Sequence, residues 1–223
     1  MNSEKKDMET DLLIIGKGDN IITMILDNLC SNELKKNIVI YNNLGLPISN
    51  NFDHDDFPIK VLEFVNFEEY HEYVLGVYQP SHKIKIINSV NPIKSKFIST
   101  IHKGLDISKT SKLGIGLLIN SKVSIAAHTT IGDFVSINRH VSIGHHTKIG
   151  DYTSINPGVN IAGNVTIGEG CTIGMGCNIL EGIIIGHNTI VGAGSVVTKD
   201  LPDNVIAYGS PCRVIKENLL LEL

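Results

Sequence analysis

The sequence predicts a mainly β protein: a C-terminal parallel β-helix preceded by a small α/β domain of Rossmann-like β-α-β type. Two observations carry this. From Ile107 to Val197 every sixth residue is aliphatic, sixteen positions without an insertion, and the following residue is often glycine, as at Gly114, Gly132, Gly144 and Gly168. Upstream, residues 11–41 read strand, turn, helix, strand. A helix places residues six apart about 240° from one another, so it cannot bury this stripe. A plain strand would need an apolar residue at every second position, without regular glycines. Short strands joined by corners satisfy both features, and each unit buries its apolar side only by stacking on its neighbours.

Taken in order, Asp11 to Gly16 is a buried strand ending in a Gly16-Lys17-Gly18-Asp19-Asn20 turn. Ile21, Ile22, Ile25, Leu26 and Leu29 then recur at helical spacing, with Asp19 or Asn20 as N-cap. Ile38 to Tyr41 is a second strand stopping at Asn42-Asn43, which completes a β-α-β unit. Residues 44–58 are polar and loop-like, Phe67 to Tyr70 opens a short helix, and Val74 to Tyr78 reads as a third strand. Ser81 to Ser99 fits a helix or an irregular connection equally well. The boundaries follow: an α/β domain over 1–100, the β-helix over 101–200, and a tail over 201–223 that covers the open end of the coil and ends in a short helix from Lys216.

Bulk properties narrow the function. The chain has 223 residues, 42% hydrophobic, with a net charge of −4 and a mean hydropathy of +0.11. That balance gives no sign of a nucleic-acid or anionic-membrane partner. The polar start Met-Asn-Ser-Glu-Lys-Lys-Asp lacks an apolar targeting core, which predicts a cytoplasmic protein. Cys171 and Cys177 fall on small inward positions of the repeat, as core residues and not as a disulfide or metal pair.

Three hexapeptides close one triangular coil, so residues three hexapeptides apart stack on adjacent coils. His128, His146 and Asn164 then form one outward column; Ala127, His145 and Gly163 form the column beside it. A histidine under a glycine has free space and a backbone amide within reach, as a general base beside an oxyanion donor requires. Most surface histidines on such a coil are solvated rungs. The Gly16/Gly18 turn is able to hold a phosphate at a helix N-terminus, but strand-to-helix geometry alone also asks for glycine there.

Three segments carry a resemblance: Ser142 to Asp151 with His145-His146, Ala162 to Gly168, and Tyr208-Gly209-Ser210-Pro211-Cys212-Arg213. With the β-α-β unit they make the chain similar to the hexapeptide-repeat acyltransferases of the sialic acid O-acetyltransferase and bacillosamine-type N-acetyltransferase family. The resemblance implies a left-handed coil, a homotrimer, and acetyl-CoA in the groove between neighbouring coils. It implies an N-terminal domain that binds a nucleotide-linked sugar through Gly16, Gly18, Asp19 and Asn42. It assigns His145 as general base in direct transfer without an acyl-enzyme, the Gly163 amide as oxyanion donor, and Asn138 and His146 to the acceptor side. Ser154, Gly163, Gly209, Pro211 and Arg213 are the acetyl-CoA positions, and no metal is expected.

The chain departs from that pattern in three places. The acid expected after the base is His146, a second histidine expected further on is Ser154, and the acidic pair after the second strand is Asn42-Asn43. The implied activity is N-acetylation of a nucleotide-linked amino-deoxy sugar for surface polysaccharide or glycan synthesis. O-acetylation of a sialic-acid-type sugar is the neighbouring alternative, and an amine needs less help from a base than a hydroxyl does. A metal enzyme like the γ-class carbonic anhydrases would use His140 and His145, but its third ligand falls at Gly104, with His102 out of step. A non-catalytic scaffold would need neither the N-terminal domain nor the tail.

Overall fold

The computed structural model describes residues 11–16, 19–34, 36–42, 58–90 and 96–219. The expected loop over 44–58, and Gly18 with Lys17, lie outside them except for Pro58. At the N-terminus, β1 (Leu12–Ile15), β2 (Ile38–Tyr41), β3 (Ile59–Leu62) and β4 (Glu72–Leu75) form a parallel sheet in the order β3-β2-β1-β4. Helix α1 (Asp19–Ser31) crosses from β1 to β2 and buries Ile21, Ile22, Ile25 and Leu29 against Leu12 and Ile14. A single 3₁₀ turn, Phe67–Glu69, stands where the short helix was expected, and helix α2 (Pro80–Val90) follows β4.

Two expectations are corrected here. The third strand in the chain is Ile59–Leu62, and the strand expected over Val74 to Tyr78 begins at Glu72 and ends at Leu75. It ends there because Gly76 packs on Gly16, where a Cβ on Gly76 would lie 2.5 Å from the Gly16 oxygen. The ambiguous Ser81 to Ser99 segment resolves into α2, which starts at Pro80, followed by Phe97 bridged to Tyr73.

The coil consists of two-residue strands from β5 (Thr100–Ile101) to β21 (Val196–Val197), one per hexapeptide, so its first rung precedes Ile107. They stack in parallel into three sheets. The first face carries Leu118–Ile119, Ser136–Ile137 and Ser154–Ile155; the second, Ser124–Ile125, Ser142–Ile143 and Asn160–Ile161; the third, Thr130–Ile131, Lys148–Ile149 and Thr166–Ile167. The repeat aliphatics from Ile119 to Val197 and the free thiols of Cys171 and Cys177 fill the core between them, while Leu113 on an early rung is exposed. Burial pushes the Cys171 thiol up to about 12, as an inert core residue requires.

After the coil, β22 (Val205–Gly209) pairs parallel to Ile190–Val191, and β23 (Cys212–Glu217) returns antiparallel. This hairpin extends the first face and buries Ala207 and Cys212 in the coil core, as a cap should. The helix expected from Lys216 is corrected: Lys216 and Glu217 belong to β23, because the hairpin satisfies their backbone on the edge of the sheet.

The α/β domain docks on the first face. Asn28 of α1 is buried and its Nδ2 donates to the carbonyls of Thr100 at 2.9 Å and Ile119 at 3.0 Å. Leu118 packs into the α1 core, and Phe134 and Tyr152 into the opposite one. No helix among the described residues is long and apolar enough to cross a membrane.

Candidate active site

At most corners the chain turns through a residue with positive φ. On the edge joining the second and third faces these include His128 (φ 60°), His146 (φ 58°) and Asn164 (φ 59°). A non-glycine residue in this region costs on the order of 1 kcal/mol, so such positions draw attention when they carry histidine. His146 N–H donates to the Ala127 carbonyl at 2.9 Å and Asn164 N–H to that of His145 at 2.8 Å, which stacks the two expected columns. Below them the buried Thr147 hydroxyl donates to the Ala162 carbonyl at 3.1 Å, tying one coil's corner to the next.

The imidazole of His145 lies across Gly163. A Cβ on Gly163 would sit 2.6 Å from its Cε1 and 2.8 Å from its Nε2, closer than real atoms approach. Glycine at 163 is therefore what lets the ring lie there. Gly144 serves the same corner from beneath, since its Cβ would come within 2.5 Å of the Gly163 nitrogen. The Gly163 amide donates to no other described residue, so it is available to a ligand.

Both His145 and His146 are exposed. Their Nδ1 atoms are 3.1 Å apart and their rings meet edge to face, with centroids 5.2 Å apart at 85°. The His128 ring also packs against His146, tilted by 41° with centroids 4.9 Å apart. Asn164 Nδ2 donates to Glu181 Oε1 at 3.0 Å, and the Ile184 N–H donates to Asp200 Oδ1 at 2.8 Å, so these carboxylates of the edge are engaged elsewhere. Among the described residues no carboxylate bonds to His145. His140 sits on the edge between the first and second faces, away from His145, and no cluster of three potential metal ligands exists among the described residues.

The remaining predicted residues divide between two regions. Asn138 and Gly209 lie at the edge between the first and second faces: Asn138 Nδ2 reaches Met24 Sδ of α1 at 3.7 Å, and Gly209 N–H donates to Ser195 Oγ at 3.1 Å. Pro211 and Arg213 are exposed on the same hairpin. Gly16, with φ +98°, is explained by its packing, because a Cβ would meet Val77 Cγ1 at 2.5 Å. It still lies with Asn42 and the start of α1 at the C-terminal ends of β1 and β2, where a parallel sheet opens its ligand crevice.

Ser154 is fully buried under the α/β domain, donating to the Tyr78 carbonyl and receiving Lys83 Nζ at 3.0 Å.

Residues 128–163, 146–181 and 164–199 match the family model described as bacterial transferase hexapeptide (six repeats). The coil carries that repeat. Comparison with curated proteins gives no match. Among solved structures, PerB from Caulobacter crescentus, in complex with CoA and GDP-perosamine, is 24% identical with TM-score 0.78, covering 92% of this chain and 97% of its own. The acetyltransferase domain of PglB from Neisseria gonorrhoeae is 22% identical with TM-score 0.77, covering 92% and 100%. WeeI from Acinetobacter baumannii is 21% identical with TM-score 0.78, covering 92% and 100%. At these identities the likeness establishes a shared fold across both regions of the chain.

The sequence reading missed two groups that hold the coil to the α/β domain. One is Asn28. The other is Lys83 of α2, wholly buried, whose Nζ donates to the carbonyls of Phe134, Tyr152 and Thr153 as well as to Ser154. Burial pulls its ammonium well below the usual lysine value. The sequence signal existed, in a lysine spaced between Pro80 and Ile86, but with α2 undecided it had no face to be assigned to.

Proposed function

We propose that the protein is an acetyl-CoA-dependent N-acetyltransferase acting on a nucleotide-linked amino sugar. The observation that carries the reading is the His145 imidazole laid across Gly163, beside an amide with no partner among the described residues. His145 Nε2 takes a proton from the acceptor amine as its nitrogen bonds to the thioester carbonyl carbon. The Gly163 N–H receives the oxyanion, the C–S bond breaks, and the proton on His145 passes to the departing thiolate. A preorganised donor of this kind is worth roughly 10²–10³ in turnover. The CoA and GDP-perosamine bound by PerB support a coenzyme A thioester and a nucleotide sugar as the two substrates.

The position of the base supports a trimer with shared sites. The α/β domain covers the first face, while His145 stands on the opposite edge, between the second and third faces. In one chain the two cannot meet over one substrate. Asn138 and Gly209 border the second face along its other edge. A groove between neighbouring coils then brings His145 of one chain to the acceptor domain and tail of the next, with acetyl-CoA along it.

Two measurements test this. Acetyl-CoA at millimolar concentration should raise the melting temperature, and consumption of acetyl-CoA should appear with at least one amino-sugar nucleotide among uridine, thymidine and guanosine forms. His145→Ala should lower kcat at least about a hundredfold with unchanged coenzyme A binding. Near-normal turnover in that variant would remove His145 as base, and a screen with no acceptor would sink the activity.

A further inference from the structure

The 3.1 Å contact between the Nδ1 atoms of His145 and His146 poses a question of protons. Two imidazole nitrogens at that distance hold one hydrogen between them: one must donate and the other accept. If His146 donates, His145 carries its own hydrogen on Nε2 and has no lone pair to offer an acceptor amine there. If His145 donates, its Nε2 is free. The second arrangement is the one compatible with a base lying across Gly163.

Among the described residues no carboxylate bonds to His145: on this edge Glu181 accepts from Asn164 Nδ2 and Asp200 from the Ile184 N–H. The His146 backbone is held at φ 58° with its N–H on the Ala127 carbonyl, and its ring packs tilted against that of His128, centroid to centroid 4.9 Å. In this arrangement its Nδ1 lies against the Nδ1 of His145.

We propose that His146 is a positioning residue for the transfer: as a neutral imidazole it accepts the Nδ1–H of His145 and so holds His145 in the tautomer whose Nε2 is unprotonated. This rests on His145 being the base. When Nε2 takes the amine proton, the Nδ1–H···Nδ1 bond becomes charge-assisted and steadies the imidazolium until the proton leaves on the coenzyme A sulfur. Neutral His146 contributes orientation and a hydrogen bond, and no counter-charge.

The left-handed backbone decides which variants are informative. Glycine, asparagine and aspartate tolerate φ near 58° best, and of these asparagine offers an acceptor without adding charge. His146→Gly should therefore delete the acceptor without backbone strain, lowering kcat about tenfold or more with unchanged KM for acetyl-CoA. His146→Asn should recover most of that loss through its Oδ1. In parallel, ¹⁵N NMR of histidine-labelled protein at alkaline pH, assigned with the His145→Ala and His146→Gly spectra, reads the tautomers directly. The expected result is an Nδ1–H tautomer for His145 in the native protein, lost in His146→Gly. An Nε2–H tautomer for His145, or His146→Gly turning over like the native protein, overturns the proposal. The tautomer is read without substrate, so it stands or falls separately from the activity of His145→Ala.

Discussion

Glycine differs from alanine by one methyl group, and at position 163 the imidazole of His145 occupies that methyl group's place. Gly163→Ala should push the ring off the amide while leaving the coil intact, since His145 is exposed and free to swing outward. The expected outcome is a drop in kcat of about a hundredfold, the scale of losing one oxyanion donor together with its base, with a melting temperature within a few degrees of the native protein. A large fall in melting temperature at unchanged kcat would assign Gly163 to coil packing alone. This column was legible from the sequence because stacking follows from counting hexapeptides. The partner of His145 was not. A carboxylate was the natural replacement for the missing acid, and only the side-chain directions reveal that Glu181 turns to Asn164 while His146 turns to His145.

Elements were readable in proportion to how much of their surface is buried. Every coil strand from Ile107 onward announces itself, because a core two residues wide admits only aliphatics and small residues. β1 and β2, fully or largely buried, were placed within a residue. β3 is an edge strand, only partly buried and with exposed Lys60 in its middle, so it presents little pattern. α2 hid for a different reason. Its Lys-Ile-Lys-Ile run alternates like a strand, and the face it buries includes Lys83. Replacing Lys83 by Met tests that face. Three carbonyls and a hydroxyl lose their donor, so the variant should be destabilised by about 2 kcal/mol or more. Its pH dependence should change as well. Burial sets the native pKa of Lys83 below the unfolded value of 10.5, so between those two values the unfolded chain binds the extra proton. This lysine's contribution therefore makes stability rise as pH increases through that window. Thermal melts from neutral to alkaline pH should show a flatter profile for Lys83→Met than for the native protein; parallel profiles would mean that Lys83 titrates as it does in the unfolded chain.

At the scale of the whole molecule, the triangular cross-section sets the constraint. One face of the coil is taken by the α/β domain and extended by the β22–β23 hairpin, and the edge opposite that face carries His145. Neither fact is visible from a single hexapeptide, because it depends on which of three equivalent faces the domain covers. Asn28, Tyr78 and Lys83 make that choice by bonding to carbonyls of the first face and its edge. On the proposed reading a site needs the base of one chain and the acceptor domain of another, which makes complementation possible. His145→Ala removes the base, and Gly18→Glu places a carboxylate in the turn assigned to the nucleotide phosphates. Each variant alone should be inactive. In trimers reassembled from equal amounts of both, one site in about four pairs an intact base with an intact acceptor domain, by random choice of the two contributing subunits. Activity should then recover to about a quarter of the native value, and should grow with the time allowed for subunit exchange. If base and acceptor domain belonged to the same chain, every mixed trimer would carry the defects of its parents and mixing would restore nothing.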